Sequence, residues 1–199
     1  MPEVLVPPAR WPRWLANFAG SHGEPELTVA DGGLRASAPD GSWFTARLPF
    51  DLPYDGPPTG LADHAVAPER WGVLLVRKGG FAVARLEGAR LVESKVGQRH
   101  VQGRTKAGGQ SQQRFARRRA NQARDAYAAA AEHAARILAG ASVVVTGGDR
   151  SAVAEVLADP RLARVTTVGP WLAVPDPRRA VLDQAILDAQ ALVVEVTNA

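Results

Sequence analysis

The strongest candidate for a catalytic motif in the sequence is a Gly-Gly-Gln tripeptide, formed by Gly108, Gly109 and Gln110. Two glycines give the backbone access to positive φ and remove side-chain bulk, so the next residue can enter a crowded pocket of another molecule. The Gln110 amide carries both a donor and an acceptor but is not a base at neutral pH. It can orient a water molecule and stabilise a developing oxyanion or a leaving hydroxyl. Such a group suits a site that a partner molecule completes.

Other catalytic and metal-binding motifs do not occur in the sequence. The chain has no cysteine, which excludes a thiol nucleophile and thiolate metal ligands. Its four histidines are scattered without the spacing of a metal site. No nucleophile elbow or nucleotide-binding fingerprint is present either. We therefore expect no cofactor and no structural zinc.

The cations of the chain are concentrated around the tripeptide. Between Lys95 and Arg124 there are nine cations and no acid, whereas the rest of the chain carries five more acids than cations. A solvated surface normally mixes both signs, and a block of one sign indicates a polyanion partner, most often a nucleic acid. The candidate RNA-binding residues are Arg99, Arg104, Lys106, Arg114, Arg117 and Arg118.

The patterns on either side of the tripeptide predict elements that would make it project from a sheet. Alternating apolar residues and glycine turns predict three strands at 71–77, 81–86 and 91–96. Residues 97–106 have no apolar periodicity, which is typical of a segment that projects. A long helix is predicted at about 111–138, with Arg114 and Arg118 opposite its apolar seam. That seam consists of Ala116, Ala120, Ala123, Tyr127, Ala130, Ala134 and Ile137.

The N-terminal part predicts a short helix and a small antiparallel sheet. Apolar residues at helical spacing predict a helix over 10–19, which Gly20 would end. Strands are predicted at 26–30, 34–37 and 43–48. Residues 51–70 are rich in proline and glycine and indicate a connector. The expected domains are residues 1–60, a connector at 61–70, and an α/β domain at 71–199.

The C-terminal third alternates between strand and helix patterns. Its predicted elements are a strand at 142–146, a helix at 151–157, a strand at 164–168 and a helix from 177 to about 192. Such alternation predicts a mixed α/β fold. The turn between Gly147 and Ser151 could hold a phosphate, but it matches no known fingerprint. We expect a plain turn with Asp149 or Ser151 as the helix cap.

Length and hydropathy set the expected compartment. The chain has 199 residues, of which 46% are hydrophobic, enough to bury a core. No apolar run approaches the roughly 18 residues that span a bilayer, and the N-terminus lacks the pattern of a signal peptide. We expect a cytoplasmic protein without a membrane partner, and a monomer.

The segment that begins at Gly108 closely resembles the catalytic loop and helix start of archaeal and eukaryotic class-one peptide release factors. The resemblance rests on Gly108, Gly109, Gln110, Ser111, Arg114, Phe115, Ala116, Arg117 and Arg119. The order of predicted elements over residues 71–199 is similar to the middle domain of that family. It implies an RNase H-like sheet with a long helix after a projecting loop.

In that family the glutamine enters the peptidyl-transferase centre and places a water molecule against the ester of peptidyl-tRNA, which implies this role for Gln110. No part of the sequence resembles the stop-codon-reading domain. Arg104, Lys106 and Gly108 instead resemble the branch of release-factor-like hydrolases that free nascent chains from stalled large subunits, called VLRF proteins in bacteria. The implied partners are large-subunit ribosomal RNA and peptidyl-tRNA. In that branch the glutamine commonly belongs to a Gly-x-x-Gln pattern, and Ser111 occupies its place here, one residue after Gln110. Gln112 is therefore a second candidate for the catalytic residue.

Two other functions remain open from the residues alone. A nuclease could cut the tRNA near its 3′ end, although the basic segment contains no acid and offers only His100 as a base. A non-catalytic RNA-binding or ribosome-docking module would explain the cations without any chemistry.

Overall fold

The computed structural model describes residues 3–98 and 125–199 of the chain. The described residues form two five-stranded sheets and four α-helices, so the predicted mixture of helix and strand is confirmed. They divide into two compact units. The first contains the residues up to Ala67 with Val168–Pro170 and Ile186–Ala199, and the second contains the described residues of Pro68–Thr167 with Trp171–Ala185.

The first unit contains an antiparallel sheet with the strand order β1-β10-β4-β3-β2. Its strands are β1 (Glu3–Val6), β2 (Glu26–Ala30), β3 (Gly33–Ser37), β4 (Trp43–Arg47) and β10 (Leu192–Thr197). The predicted meander is confirmed as β2, β3 and β4. Alternate residues of β4 point into the core, where Phe44 and Ala46 are fully buried.

Helix α1 (Trp11–His22) packs its aromatic side chains on this sheet. The rings of Trp11 and Phe18 lie edge-on to Phe44, with centroid distances of 5.8 and 4.9 Å. The predicted helix is confirmed, but Gly20 does not end it. One glycine inside a helix costs only about 1 kcal/mol, which this packing exceeds. The helix ends before Gly23, whose φ of 88° breaks it.

The C-terminal strand belongs to the first sheet, although the sequence placed residues 71–199 in one domain. Val194 of β10 lies opposite Val4 on one side and Ala46 on the other. The helix predicted from 177 to about 192 therefore ends earlier, at Asp188. Strand β1 was not predicted from the sequence. Both strands are short, and each completes its hydrogen bonds only with partners distant in sequence.

The second unit contains a mixed sheet with the strand order β7-β6-β5-β8-β9. Its strands are β5 (Arg70–Arg77), β6 (Gly80–Glu87), β7 (Arg90–Gln98), β8 (Val143–Gly148) and β9 (Thr167–Leu172), and the helices that follow strands of this sheet are α2 (125–137), α3 (Arg150–Leu157) and α4 (Arg179–Asp188). Strands β5, β6 and β7 form the predicted meander, and β8 is parallel to β5. The strand predicted at 164–168 is observed three residues later, as β9.

Helix α2 covers one face of this sheet with small and apolar residues. Ala130, Ala134 and Ile137 are fully buried, and Tyr127 is 8% exposed. These residues pack in one core with side chains of β5 and β6. The described half of the predicted seam is therefore confirmed, whereas Ala116, Ala120 and Ala123 lie outside the described residues. No helix in the described part of the chain is long and apolar enough to span a bilayer.

Candidate functional site

The residues predicted to act on a substrate or to bind RNA lie outside the described residues. They are Gly108, Gly109, Gln110, Arg99, Arg104, Lys106, Arg114, Arg117 and Arg118, with Gln112 as the alternative glutamine. The structure describes the residues on both sides of this segment, which end at Gln98 and resume at Asp125. These flanking residues establish how the segment is attached.

Strand register places the start of the segment at one end of the second sheet. Gln98 lies opposite Gly80, and Gly80 lies opposite Arg77. On the other side of β5, Gly148 lies opposite Val76. These residues form a row across the sheet, and we call this end the Gln98 end.

The described part of α2 begins near the same end. Burial raises the pKa of Tyr127 above its ordinary value, and the negative charges of Asp149 and Glu155 raise it further. Tyr127, in the first described turn of α2, belongs to the same buried core as Val76 and Phe81, which lie opposite each other near that end. Asp149 directly follows Gly148, and its backbone N-H donates to the Val76 carbonyl at 2.8 Å. The chain thus leaves the described structure and returns to it at the Gln98 end of the sheet.

An aromatic stack joins β7 to α2 close to this end. Phe81 lies opposite Gly97. A Cβ atom added to Gly97 would lie 2.6 Å from Cζ and 2.9 Å from Cδ1 of Phe81, so the ring occupies the space above the glycine. The same ring stacks on His133 of α2, with centroids 5.6 Å apart and planes 26° apart. The Phe81 ring therefore links the last residues of β7 to helix α2.

A second link between β7 and α2 is the ion pair of Glu93 and Arg136. Both side chains are partly exposed, so the pair is worth at most about 1 kcal/mol. Its position gives the direction of the helix. His133 stacks on Phe81 of β6, which lies opposite Gly97 near the end of β7. Arg136 pairs with Glu93, nearer the start of β7. Helix α2 therefore runs antiparallel to β7. At the far end of α2, Leu138 packs where a Cβ on Gly72 would overlap it.

The turn from β8 into α3 is a helix cap, as predicted. The Asp149 carboxylate accepts hydrogen bonds from the backbone N-H of Ser151 at 3.0 Å and of Ala152 at 3.4 Å. It also accepts one from the Ser151 hydroxyl at 2.7 Å. These bonds, that of the hydroxyl first, lower the pKa of Asp149. Two of the N-H groups at the start of α3 are thereby satisfied within the protein.

Sequence reasoning missed the roles of Gly97, Phe81 and His133. A glycine inside a strand pattern is a sign that a side chain or a backbone approaches closely. The sequence carries this signal at Gly97, but the missing apolar periodicity of residues 97–106 predicts the start of a projecting segment there instead. The His133 contact had no signal, since it depends on the rotation of a helix relative to a sheet. Among the described residues, no group of three or more His, Asp or Glu side chains could hold a metal ion.

Comparisons with known proteins give one family match and several structural likenesses. The family model of the Actinobacteria/chloroflexi VLRF1 release factor matches residues 69–195. A search of curated proteins finds no match.

The structural likenesses are distant. The crystal structure of the archaeal translation termination factor aRF1 is similar with a TM-score of 0.47 and 14% identity, over 94% of this chain and 64% of that one. The Vms1 mitochondrial localization core is similar with a TM-score of 0.41 and 12% identity, over 92% of this chain and 80% of that one. The chain spans less than two thirds of the archaeal factor.

Proposed function

Because this chain belongs to the Actinobacteria/chloroflexi VLRF1 release factor family, we propose that it hydrolyses the ester of peptidyl-tRNA on stalled large ribosomal subunits. The reaction releases the nascent chain. The observation that carries the proposal is the position of the match, which spans the Gly-Gly-Gln tripeptide and the whole cationic block around it. Codon independence is part of the proposal.

Gln110 would position the water molecule that attacks the ester. Its amide oxygen can accept a hydrogen bond from the water, and its N-H can donate one to an oxygen that gains charge, so neither task needs a change in its own protonation. Gly108 and Gly109 would let the backbone pass through a narrow space in the ribosome. The ribosome would supply the rest of the site, and no cofactor is needed.

The proposed partners are large-subunit ribosomal RNA and the tRNA acceptor end. Cations that contact phosphates release counterions, so binding should weaken steeply as salt rises. The six proposed contacts are Arg99, Arg104, Lys106, Arg114, Arg117 and Arg118. A cytoplasmic monomer with no membrane partner fits this role.

The described attachment of the segment supports the proposal. Both ends are anchored at the Gln98 end of one sheet, and the Gly97, Phe81 and His133 stack joins the strand to the helix. A catalytic group works best when rigid elements support it, because small displacements lower the rate. A packed sheet and helix at the base provide such support.

The test compares release of nascent chains by the native protein and by Gln110→Ala, with stalled large subunits that carry peptidyl-tRNA. We expect the rate to fall on the order of 100-fold or more, the effect of removing a group that stabilises the transition state. Binding to the subunits should stay unchanged. Gln112→Ala is the matched control and should release at nearly the native rate. Normal release by Gln110→Ala together with a slow Gln112→Ala would move the catalytic role to Gln112.

The same assay separates the two other functions. Analysis of the released tRNA distinguishes an esterase from a nuclease, because only the nuclease shortens the RNA. A native protein that binds subunits but releases no chain would be an RNA-binding module, and the catalytic proposal would fall.

A further inference from the structure

Three cations and one tryptophan lie together at the Gln98 end of the second sheet. Arg77 ends β5, and Lys78 follows it in the turn to β6. Arg150 begins α3, directly after Asp149. Trp171 lies in β9, the neighbour of β8. We call Arg77, Lys78, Arg150 and Trp171 the Trp171 patch.

Trp171 holds the Arg150 side chain in one orientation. The guanidinium carbon lies 4.2 Å from the centre of the Trp171 ring, the geometry of a cation–π contact. The ring itself is half-buried and packs against the core beneath α2 and α3. Arg150 is exposed, and a guanidinium that stacks flat keeps the N-H groups at its edge available to an acceptor.

Arg77 is also held in place. Its Nη1 donates to the Val174 carbonyl at 2.7 Å, and its Nε lies 3.4 Å from Oδ1 of Asp176. The turn packs tightly on that carboxylate, because a Cβ on Gly79 would lie 2.8 Å from Oδ2. Arg77 is nevertheless 43% exposed. The patch therefore presents two oriented guanidinium groups, and Lys78 is exposed between β5 and β6.

The two carboxylates beside these cations keep their negative charge and are bound within the protein. Asp149 accepts three hydrogen bonds from Ser151 and Ala152. Asp176 lies against Arg77. The patch carries three cations against these two carboxylates and is therefore net positive. The sequence that continues from Gln98, at this end of the sheet, belongs to the block from Lys95 to Arg124 that holds nine cations and no acid. Such a charge balance favours a polyanion as the partner.

The position of the patch favours a large polyanion. Gln98 and Arg77 lie two strands apart, about 10 Å at the usual strand spacing. Twelve residues lead from Gln98 to Gln110, a reach of at most about 40 Å. A molecule that meets both Gln110 and the patch would extend over up to that distance. The single-stranded acceptor end of a tRNA is short, whereas ribosomal RNA is continuous around a bound factor.

We infer that the Trp171 patch contacts the phosphate backbone of large-subunit ribosomal RNA and anchors the chain at the base of the Gly-Gly-Gln segment. This inference rests on the proposed function. Arg150 and Arg77 would bind phosphate oxygens through N-H groups, and Lys78 would add a charge without fixed geometry.

The test measures binding to vacant large subunits by sedimentation over a range of salt concentrations. We expect Arg150→Glu and Lys78→Glu each to weaken binding about tenfold at moderate salt and to lower the salt slope by about 1. The matched control is Arg90→Glu. Arg90 is also exposed and lies opposite Glu87, seven residues along β6 from Gly80 and so about 23 Å from the patch end. It should bind within about twofold of native.

Each result has a distinct meaning. If the native protein binds and releases chains but Arg150→Glu binds as Arg90→Glu does, the inference is wrong and the proposed function stands. If the native protein does not bind subunits, both fall. A loss seen only with subunits that carry peptidyl-tRNA would place the contact on tRNA and overturn the assignment to ribosomal RNA. Circular dichroism of each variant confirms that the loss does not come from misfolding.

Discussion

Replacing Gly97 with alanine tests whether the Phe81 ring fastens β7 to α2. The new methyl group would lie 2.6 Å from Cζ and 2.9 Å from Cδ1 of the ring, closer than real contacts of this kind. Phe81 is only 6% exposed and stacks on His133, so its ring cannot move away without disturbing α2. The strand backbone or the stack must shift instead.

The expected magnitude follows from two opposing effects. Overpacking a core position costs about 1–3 kcal/mol. Alanine is favoured over glycine in a strand by roughly 0.5–1 kcal/mol, which offsets part of that cost. We expect a net loss of about 1–2 kcal/mol in the free energy of unfolding. For a chain of this size the unfolding midpoint should fall by about 2–8 °C.

Thermal unfolding followed by circular dichroism measures this change. The matched control is Gly20→Ala in α1, because a Cβ at Gly20 would meet no atom within 4 Å. That variant should keep the native midpoint or raise it slightly. The double variant Gly97→Ala, Phe81→Leu removes the overlapping ring atoms. Its loss should be smaller than the sum of the two single losses by about 1 kcal/mol.

The reasoning would be refuted if Gly97→Ala unfolded at the native midpoint within about 1 °C. It would also be refuted if the two substitutions were additive, because additivity means that residue 97 and the ring do not interact.

Two further predictions concern titrating groups. Hydrogen bonds from the Arg161 side chain, and then from its backbone N-H, lower the pKa of Asp159 from 3.8 to about 2. Because the folded value lies below the unfolded one, this pair stabilises the fold above about pH 4 and loses that effect as pH falls towards 2. An NMR titration should show the low value, and Arg161→Ala should raise it, whereas an unchanged pKa would contradict the pairing. Both tyrosines of the chain, Tyr54 and Tyr127, have a pKa raised mainly by burial. Their absorbance titration should therefore lie above 10, and stability should decline as pH rises past 10, where the unfolded tyrosines ionise first. A midpoint at or below 10 for either tyrosine would contradict its burial.

The elements that the sequence predicted well are those with strong local patterns. Strands β5, β6 and β7 have apolar alternation and are separated by glycine turns, so neighbours in sequence pair in space. Helix α1 has four apolar residues at helical spacing, and Asp149 has the side chain that a helix cap needs. Each of these features depends on residues that lie close together in the sequence. The Gly-Gly-Gln tripeptide and the cation block are likewise visible without a structure, and their roles remain proposals.

The local elements, the block of positive charge and the family of the chain can thus be read from the amino-acid sequence. The fold is needed to see that β10 returns to the sheet of the N-terminal unit, between β1 and β4. It also brought the Phe81 ring between Gly97 and His133, and Arg150 onto Trp171. The physical reason is that hydrophobic burial and strand pairing act between any residues that meet, whatever their separation along the chain. A pattern in the sequence shows which face of an element is buried, but the partner that buries it is chosen by the fold.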